Sequence, residues 1–220
     1  NIITKWIEDN SRVIDFGCGD GSLLTELRDN KHILGYGIEI DPDGINECLK
    51  NNISVVEKDI DDGIDEFVNC NFDVAVMASS IQCLKEPNIA LKKILNLSNK
   101  CIVTIPNLGY WRCRLALLLG RMPVTPSLPS SWYGTENIHL CTIKDFEDLC
   151  KEEDFIIEEN MHLNKKRQVS SLAKLMPNLF FLDLKLLKEF SYFLASKYTP
   201  SHDNKLGINL ANELTCLFIF

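Results

Sequence analysis

Residues 13–21 read Val-Ile-Asp-Phe-Gly-Cys-Gly-Asp-Gly. An apolar strand breaks on an acidic residue, and glycines follow at alternate positions 17, 19 and 21. Glycine lacks a Cβ, so the backbone can turn sharply there and a ligand can lie against bare peptide. Residues 22–31 then carry Leu23, Leu24 and Leu27 at helical spacing. Strand, glycine turn and helix N-terminus together make a nucleotide-type binding site.

The spacing narrows the ligand. Dinucleotide-binding loops read Gly-x-Gly-x-x-Gly, whereas Gly17-x-Gly19-x-Gly21 is one residue tighter. Asp15 precedes the loop, where a carboxylate accepts hydrogen bonds from an ammonium group. A pyrophosphate gains nothing from that carboxylate, but the amino-acid end of S-adenosylmethionine (SAM) does. The pattern resembles the first motif of class I SAM-dependent methyltransferases. It marks Asp15, Gly17, Cys18 and Gly19 as candidate contacts to SAM or its product S-adenosylhomocysteine.

Two further strands agree. Residues 35–41 form a short apolar run ending in carboxylates, and Glu39 falls about 20 residues past the loop, the distance at which an acidic group meets ribose hydroxyls. Ile40 adjoins it as a further candidate. Asp41 precedes Pro42 and suits an N-cap for a helix running to about residue 51. Residues 54–59 are a third strand ending at Asp59. The resemblance implies that Asp59 faces the adenine amino group and that Ile60 covers the ring. Without it, Asp59 reads equally as a solvated loop carboxylate, since Asp61 and Asp62 follow.

Strand and helix signals continue to alternate. Residues 72–77 are a continuous apolar run, Pro87 opens a helix to about residue 97, and residues 101–105 are a strand stopped by Pro106. Alternation of this kind implies right-handed crossovers and a parallel sheet, with ligands beyond the C-terminal strand ends. Asp15, Glu39, Asp59, Ser79 and Asn107 all fall at or just past such ends. The expected fold is α/β and Rossmann-like, a mostly parallel seven-stranded sheet with helices on both faces.

Composition sets limits. A chain of 220 residues, 45% hydrophobic, is expected to bury one core as a single domain. Its net charge of −8 argues against electrostatic nucleic-acid binding. No apolar run approaches the ~18 residues of a membrane span. The nine cysteines contain no Cys-x-x-Cys pair, which reads as reduced thiols in a cytoplasmic protein with no metal site.

Residues 107–146 hold two of the three tryptophans (Trp111, Trp132), Tyr110, Tyr133, His139 and arginines 112, 114 and 121, broken by prolines at 123, 126 and 129. Thr142-x-x-Asp145 marks a helix start. Aromatics and arginines in a loop over a strand end suit a pocket for an anionic or planar substrate. The alternative is a lid packed on the sheet and anchored by the leucine-rich run 115–119. Trp111 suits packing, Arg112 and Arg121 suit either surface ion pairing or ligand binding, and His139 suits either a pocket or a structural role.

The strings PNLGYWRCRLALLLGRMPVT and LPSSWYGTENIHLCTIKDF, with DFGCGDGSLLTEL and GYGIEID, resemble the methionine-biosynthesis MetW family. The likeness runs from about residue 12 to about residue 163 and resumes at 209–220. It implies a class I methyltransferase fold and an association with the enzyme that acylates homoserine. The chain departs from the pattern at about 168–207. There Leu179, Leu182, Leu186, Phe190, Phe193 and Leu194 fall near helical spacing, which predicts a helical insertion before the last strand, packed on its own domain or forming a homodimer contact.

Two functions remain open. One is a SAM-responsive partner of a homoserine O-acyltransferase. The other is a methyltransferase acting on an unidentified small molecule. For the latter, His139 and Tyr133 are candidate bases, and Asn107, Tyr110 and Arg112 candidate substrate contacts, with Tyr110, Arg112, Tyr133 and His139 expected nearest the methyl group.

Overall fold

The computed structural model describes residues 2–164, 167–168 and 190–197. Apolar strands and amphipathic helices alternate as the sequence implies. They are β1 (Arg12–Phe16), α1 (Ser22–Lys31), β2 (Leu34–Glu39), α2 (Pro42–Lys50), β3 (Ser54–Glu57), β4 (Phe72–Ala78), α3 (Pro87–Leu97) and β5 (Ser98–Pro106). After them come α4 (Trp111–Leu118), α5 (Ile143–Glu152), β6 (Phe155–Asn164), β7 (Arg167–Gln168) and β8 (Phe190–Lys197).

The strands form one sheet in the order β3-β2-β1-β4-β5-β8-β6-β7. The first five are parallel, and β8 runs antiparallel between β5 and β6. Because β7 is a two-residue pairing at the edge, the sheet proper has seven strands among the described residues, the number expected, although its last strand lies at 190–197.

Successive strand residues point to opposite faces, and both faces are buried. Ile14, Ala75, Met77, Val103 and Phe193 pack with α3 and α5 on one side. Val13, Val74, Val76, Ile102 and Leu194 pack with α1 and α2 on the other. This two-sided burial is why the strands read as unbroken apolar runs. Leu24 and Leu27 are fully buried on α1, each contributing roughly 1.5–3 kcal/mol.

Helix starts follow the sequence signals. Asp41 caps α2, accepting from the Gly44 amide at 3.1 Å. Thr142 and Asp145 form the reciprocal capping box of α5, with bonds of 3.3 and 2.8 Å.

One expectation is corrected. Phe190, Phe193 and Leu194 lie in the strand β8 rather than in a helix. Phe193, Leu194 and Ala195 are buried between β5 and β6, and a short run buried on both faces has no periodicity to separate strand from helix. The remainder of the expected 168–207 insertion, the homodimer contact placed there and the strand expected near 209–220 lie outside the described residues. No helix among the described residues is long and apolar enough to cross a membrane.

Candidate functional site

The C-terminal ends of β1, β2 and β4 meet around the glycine loop. Gly17, Gly19 and Gly21 all take positive φ, at 77°, 55° and 72°, a region L side chains rarely adopt. Space adds to the constraint at Gly17, where a Cβ would come 2.9 Å from the Ser80 Cβ. At Gly19 a Cβ would meet nothing within 4 Å, so the peptide there is bare on its open side.

The loop is held from behind. The amides of Gly17 and Cys18 donate to the Ile38 carbonyl at 2.8 and 3.1 Å. The Cys48 thiol donates to the Gly19 carbonyl at 3.3 Å and lies 3.7 Å from the Cys18 sulfur. Cys18 therefore turns its side chain into the core, and burial pushes its thiol pKa up. The described cysteines are all free thiols.

Glu39 clamps the same loop. One carboxylate oxygen accepts from the Gly19 amide at 2.6 Å, and the other from the amides of Ile40 and Asp41 at 2.8 and 3.0 Å. A carboxylate has about four acceptor sites, so three bonds leave room for one more donor. Ile40 presents its side chain to solvent beside it.

Asp15 is the unusual group. It is 1% exposed, and its Oδ1 has no hydrogen-bond partner. Burial, reinforced by the charge of Glu39, pushes its pKa up from 3.8 to about 7. An acceptor left open in the interior costs ~1–3 kcal/mol, and a cationic donor satisfies both its hydrogen-bonding and its charge.

Asp59 caps the turn Ile60–Asp62 through the Asp61 amide at 2.9 Å, and Ile60 packs against the core. Asp61 in turn accepts from the Lys85 amide at 3.0 Å. Ser79, with φ of 65°, places its hydroxyl 3.3 Å from that of Thr104.

Two neighbours were not singled out from the sequence. Ser80 donates to the Phe16 carbonyl at 2.7 Å, tying β4 to the loop. Gln82 is buried, donates to the Ser79 carbonyl at 2.6 Å and leaves its Oε1 without a partner. Their signal was the polar stretch immediately after the apolar run of β4.

The C-terminal end of the aromatic segment docks on the turn after β4. The Gln82 carbonyl accepts from the amides of Ile138 and His139, both at 2.9 Å. His139 Nε2 lies 3.1 Å from the Lys85 carbonyl; a carbonyl only accepts, so Nε2 carries the proton and Nδ1 is left as the free acceptor. Asn107 is 1% exposed, and its Oδ1 accepts from the Gly109 amide at 2.9 Å and the Ile143 amide at 3.4 Å.

The four groups expected around a methyl each have their own surroundings. Tyr110 is packed with Cys113 and Leu128. Arg112 lies over the Trp111 ring at 5.4 Å. Tyr133 is 79% exposed, edge-on to Trp132 at 5.5 Å. The leucine run is no anchor either: Leu118 and Leu119 are 83% and 68% exposed, and Cys113 is the residue α4 buries. Its two arginines are interspersed with the apolar residues around the helix, so its sequence contains no clean stripe to choose a buried face.

The fold has many relatives of low identity. A SAM-dependent methyltransferase from Archaeoglobus fulgidus aligns with a TM-score of 0.61 at 15% identity, over 89% of this chain and 90% of that one. A putative methyltransferase in complex with the Haloferax volcanii Trm112 methyltransferase activator aligns with a TM-score of 0.60 at 14% identity, over 88% and 85%. In sequence, the bifunctional methionine biosynthesis protein MetXA/MetW of Rhodopirellula baltica is 27% identical over 169 residues, 72% of this chain. The chain spans about a quarter of that relative's length, 27%. The family model described as methionine biosynthesis protein MetW matches residues 1–186, and the chain belongs to that family.

Proposed function

We propose that this chain is a SAM-binding protein of methionine biosynthesis that supports homoserine O-acylation by a partner acyltransferase. The observation that carries the ligand assignment is the partnerless Oδ1 of buried Asp15 at the end of β1, just ahead of the loop in which the Gly19 peptide is bare. SAM or S-adenosylhomocysteine supplies the ammonium group that this acceptor lacks. Asp15 holds that group, Gly17 and Gly19 leave space for the amino-acid chain, and Glu39 offers its remaining acceptor site to a ribose hydroxyl. The family resemblance adds Asp59 and Ile60 at the adenine.

The partner reading is supported by the relative whose name joins MetXA and MetW in one protein. SAM is made from methionine, so a SAM site can report the pathway's output to its entry step. Coupling of this kind requires the acyltransferase to bind the loaded and empty forms with different free energies. Calorimetric titration with both ligands, followed by acyltransferase assays with and without this protein, tests the reading. Binding together with a ligand-dependent change in acylation supports it; absence of association overturns the partner role.

The alternative is methyl transfer to a small acceptor. SAM would supply an electrophilic methyl, and this chain's contribution would be positioning, with His139 Nδ1 as the available base. Methylation of a small acceptor by the purified chain, without any association with the acyltransferase, would favour it.

A further inference from the structure

We propose that the apolar face carried by residues 111–133 is the surface that docks the acyltransferase, its arginines meeting carboxylates on that partner. The inference rests on the partner reading above and adds where contact is made.

Large apolar side chains normally leave water. Here Leu118, Leu119, Trp132 and Tyr133 are each more than two-thirds exposed. Trp132 also lines an open groove together with Met122 and Pro123. Contiguous apolar surface of this kind marks an interaction site, and exposed tryptophan, tyrosine and arginine are the residue types that dominate binding energy at interfaces.

Charge selects the occupant. The chain carries a net charge of −8, yet residues 107–135 contain three arginines and no carboxylate side chain. Among the described residues, no salt bridge involves Arg112, Arg114 or Arg121. A symmetric contact with a second copy would bring two arginine-bearing faces together with no carboxylate from residues 107–135 to meet them, and like charges brought together oppose the contact. An anionic membrane would attract the arginines but repel the rest of an acidic chain. A protein with an apolar ridge fringed by carboxylates meets both features, and the MetXA/MetW relative carries its second function in the same protein.

The test uses the full chain and the purified homoserine O-acyltransferase of the same genome. Leu118→Glu and Trp132→Ala alter exposed side chains, so melting temperature and SAM affinity should stay unchanged. Each should weaken association with the acyltransferase at least about tenfold. Arg121→Glu should weaken it too. Raising salt from about 0.05 to about 0.5 M should weaken the wild type more than that variant.

If the wild type binds and all three variants bind within about twofold, the surface is misassigned while the partner reading stands. If the wild type does not bind the acyltransferase at all, the partner reading itself has failed. Self-association abolished by Leu118→Glu, or sedimentation with phosphatidylserine vesicles but not with the acyltransferase, overturns the proposal in favour of a second copy or a lipid surface.

Discussion

The glycine loop and the segment 107–139 use the same raw materials in opposite ways. In the first, backbone and side-chain polar groups are tied down by Ile38, Glu39, Ser80 and Cys48, while the buried acceptors Asp15 Oδ1 and, next to the loop, Gln82 Oε1 have no partner. In the second, leucines and aromatics stand in water, and no salt bridge among the described residues involves the arginines. A buried carboxylate with an unmet hydrogen bond fits a small cationic ligand. An exposed apolar face fits a large partner. On the proposed reading, small-molecule recognition and partner recognition fall to separate regions, joined where the Gln82 carbonyl holds the amides of Ile138 and His139.

Substitutions can break that contrast. The largest effect is expected from Gly19→Val. A β-branched residue at φ 55° is strained, and its methyls would enter the open space the ligand needs. SAM affinity should fall at least about a hundredfold, ~2.7 kcal/mol, by calorimetry. Unchanged affinity would remove the loop from the site.

Glu39→Ala comes next. It removes both the proposed ribose contact and the clamp on the Gly19 amide, and should weaken SAM by at least about tenfold, since charge-assisted hydrogen bonds are worth ~1.5–3 kcal/mol. Binding within twofold in a normally folded variant would contradict the assignment.

Titration of Asp15 sets the pH dependence. Its carboxyl is raised to about 7 by burial and then by Glu39. Protonation therefore favours the empty fold, and this contribution to stability is lost as pH rises from the ordinary carboxylate value to about 7. Binding an ammonium group requires the ionised form. Affinity should then fall about tenfold from about pH 8 to about pH 6, with proton release that shows as a buffer-dependent heat. A flat profile would mean that Asp15 does not meet the charge.

The smallest effect sharpens the contrast from the other side. Trp132→Ala and Leu118→Gln should change SAM affinity by less than about twofold and stability by less than ~0.5 kcal/mol, because both side chains are mostly exposed. A larger loss of SAM affinity would place the segment over the ligand.

The sequence made the ligand half legible because its rules are local. Glycine spacing, an acidic residue before the loop, Glu39 at its distance and Asp41 before Pro42 each act within a few residues, and the structure brings them together. The rest depended on contacts across the chain. Strand β8 was misread as helix because burial between two neighbours erases periodicity. The leucines of α4 looked like an anchor because composition cannot say which apolar residues find a cover. Gln82 matters through the Ser79 carbonyl and the backbone of residues 138–139, which no spacing announces.

The central claim is that buried Asp15 receives the ammonium group of SAM. The most direct measurement is calorimetric titration of SAM into the wild type and into Asp15→Asn at about pH 8, where the wild-type carboxylate is ionised. The expected result is saturable binding to the wild type, and binding roughly 10- to 100-fold weaker in the variant, with the variant at least as stable when empty because no charge is buried. Equal affinity in the two proteins, or no binding to the wild type, would contradict the claim.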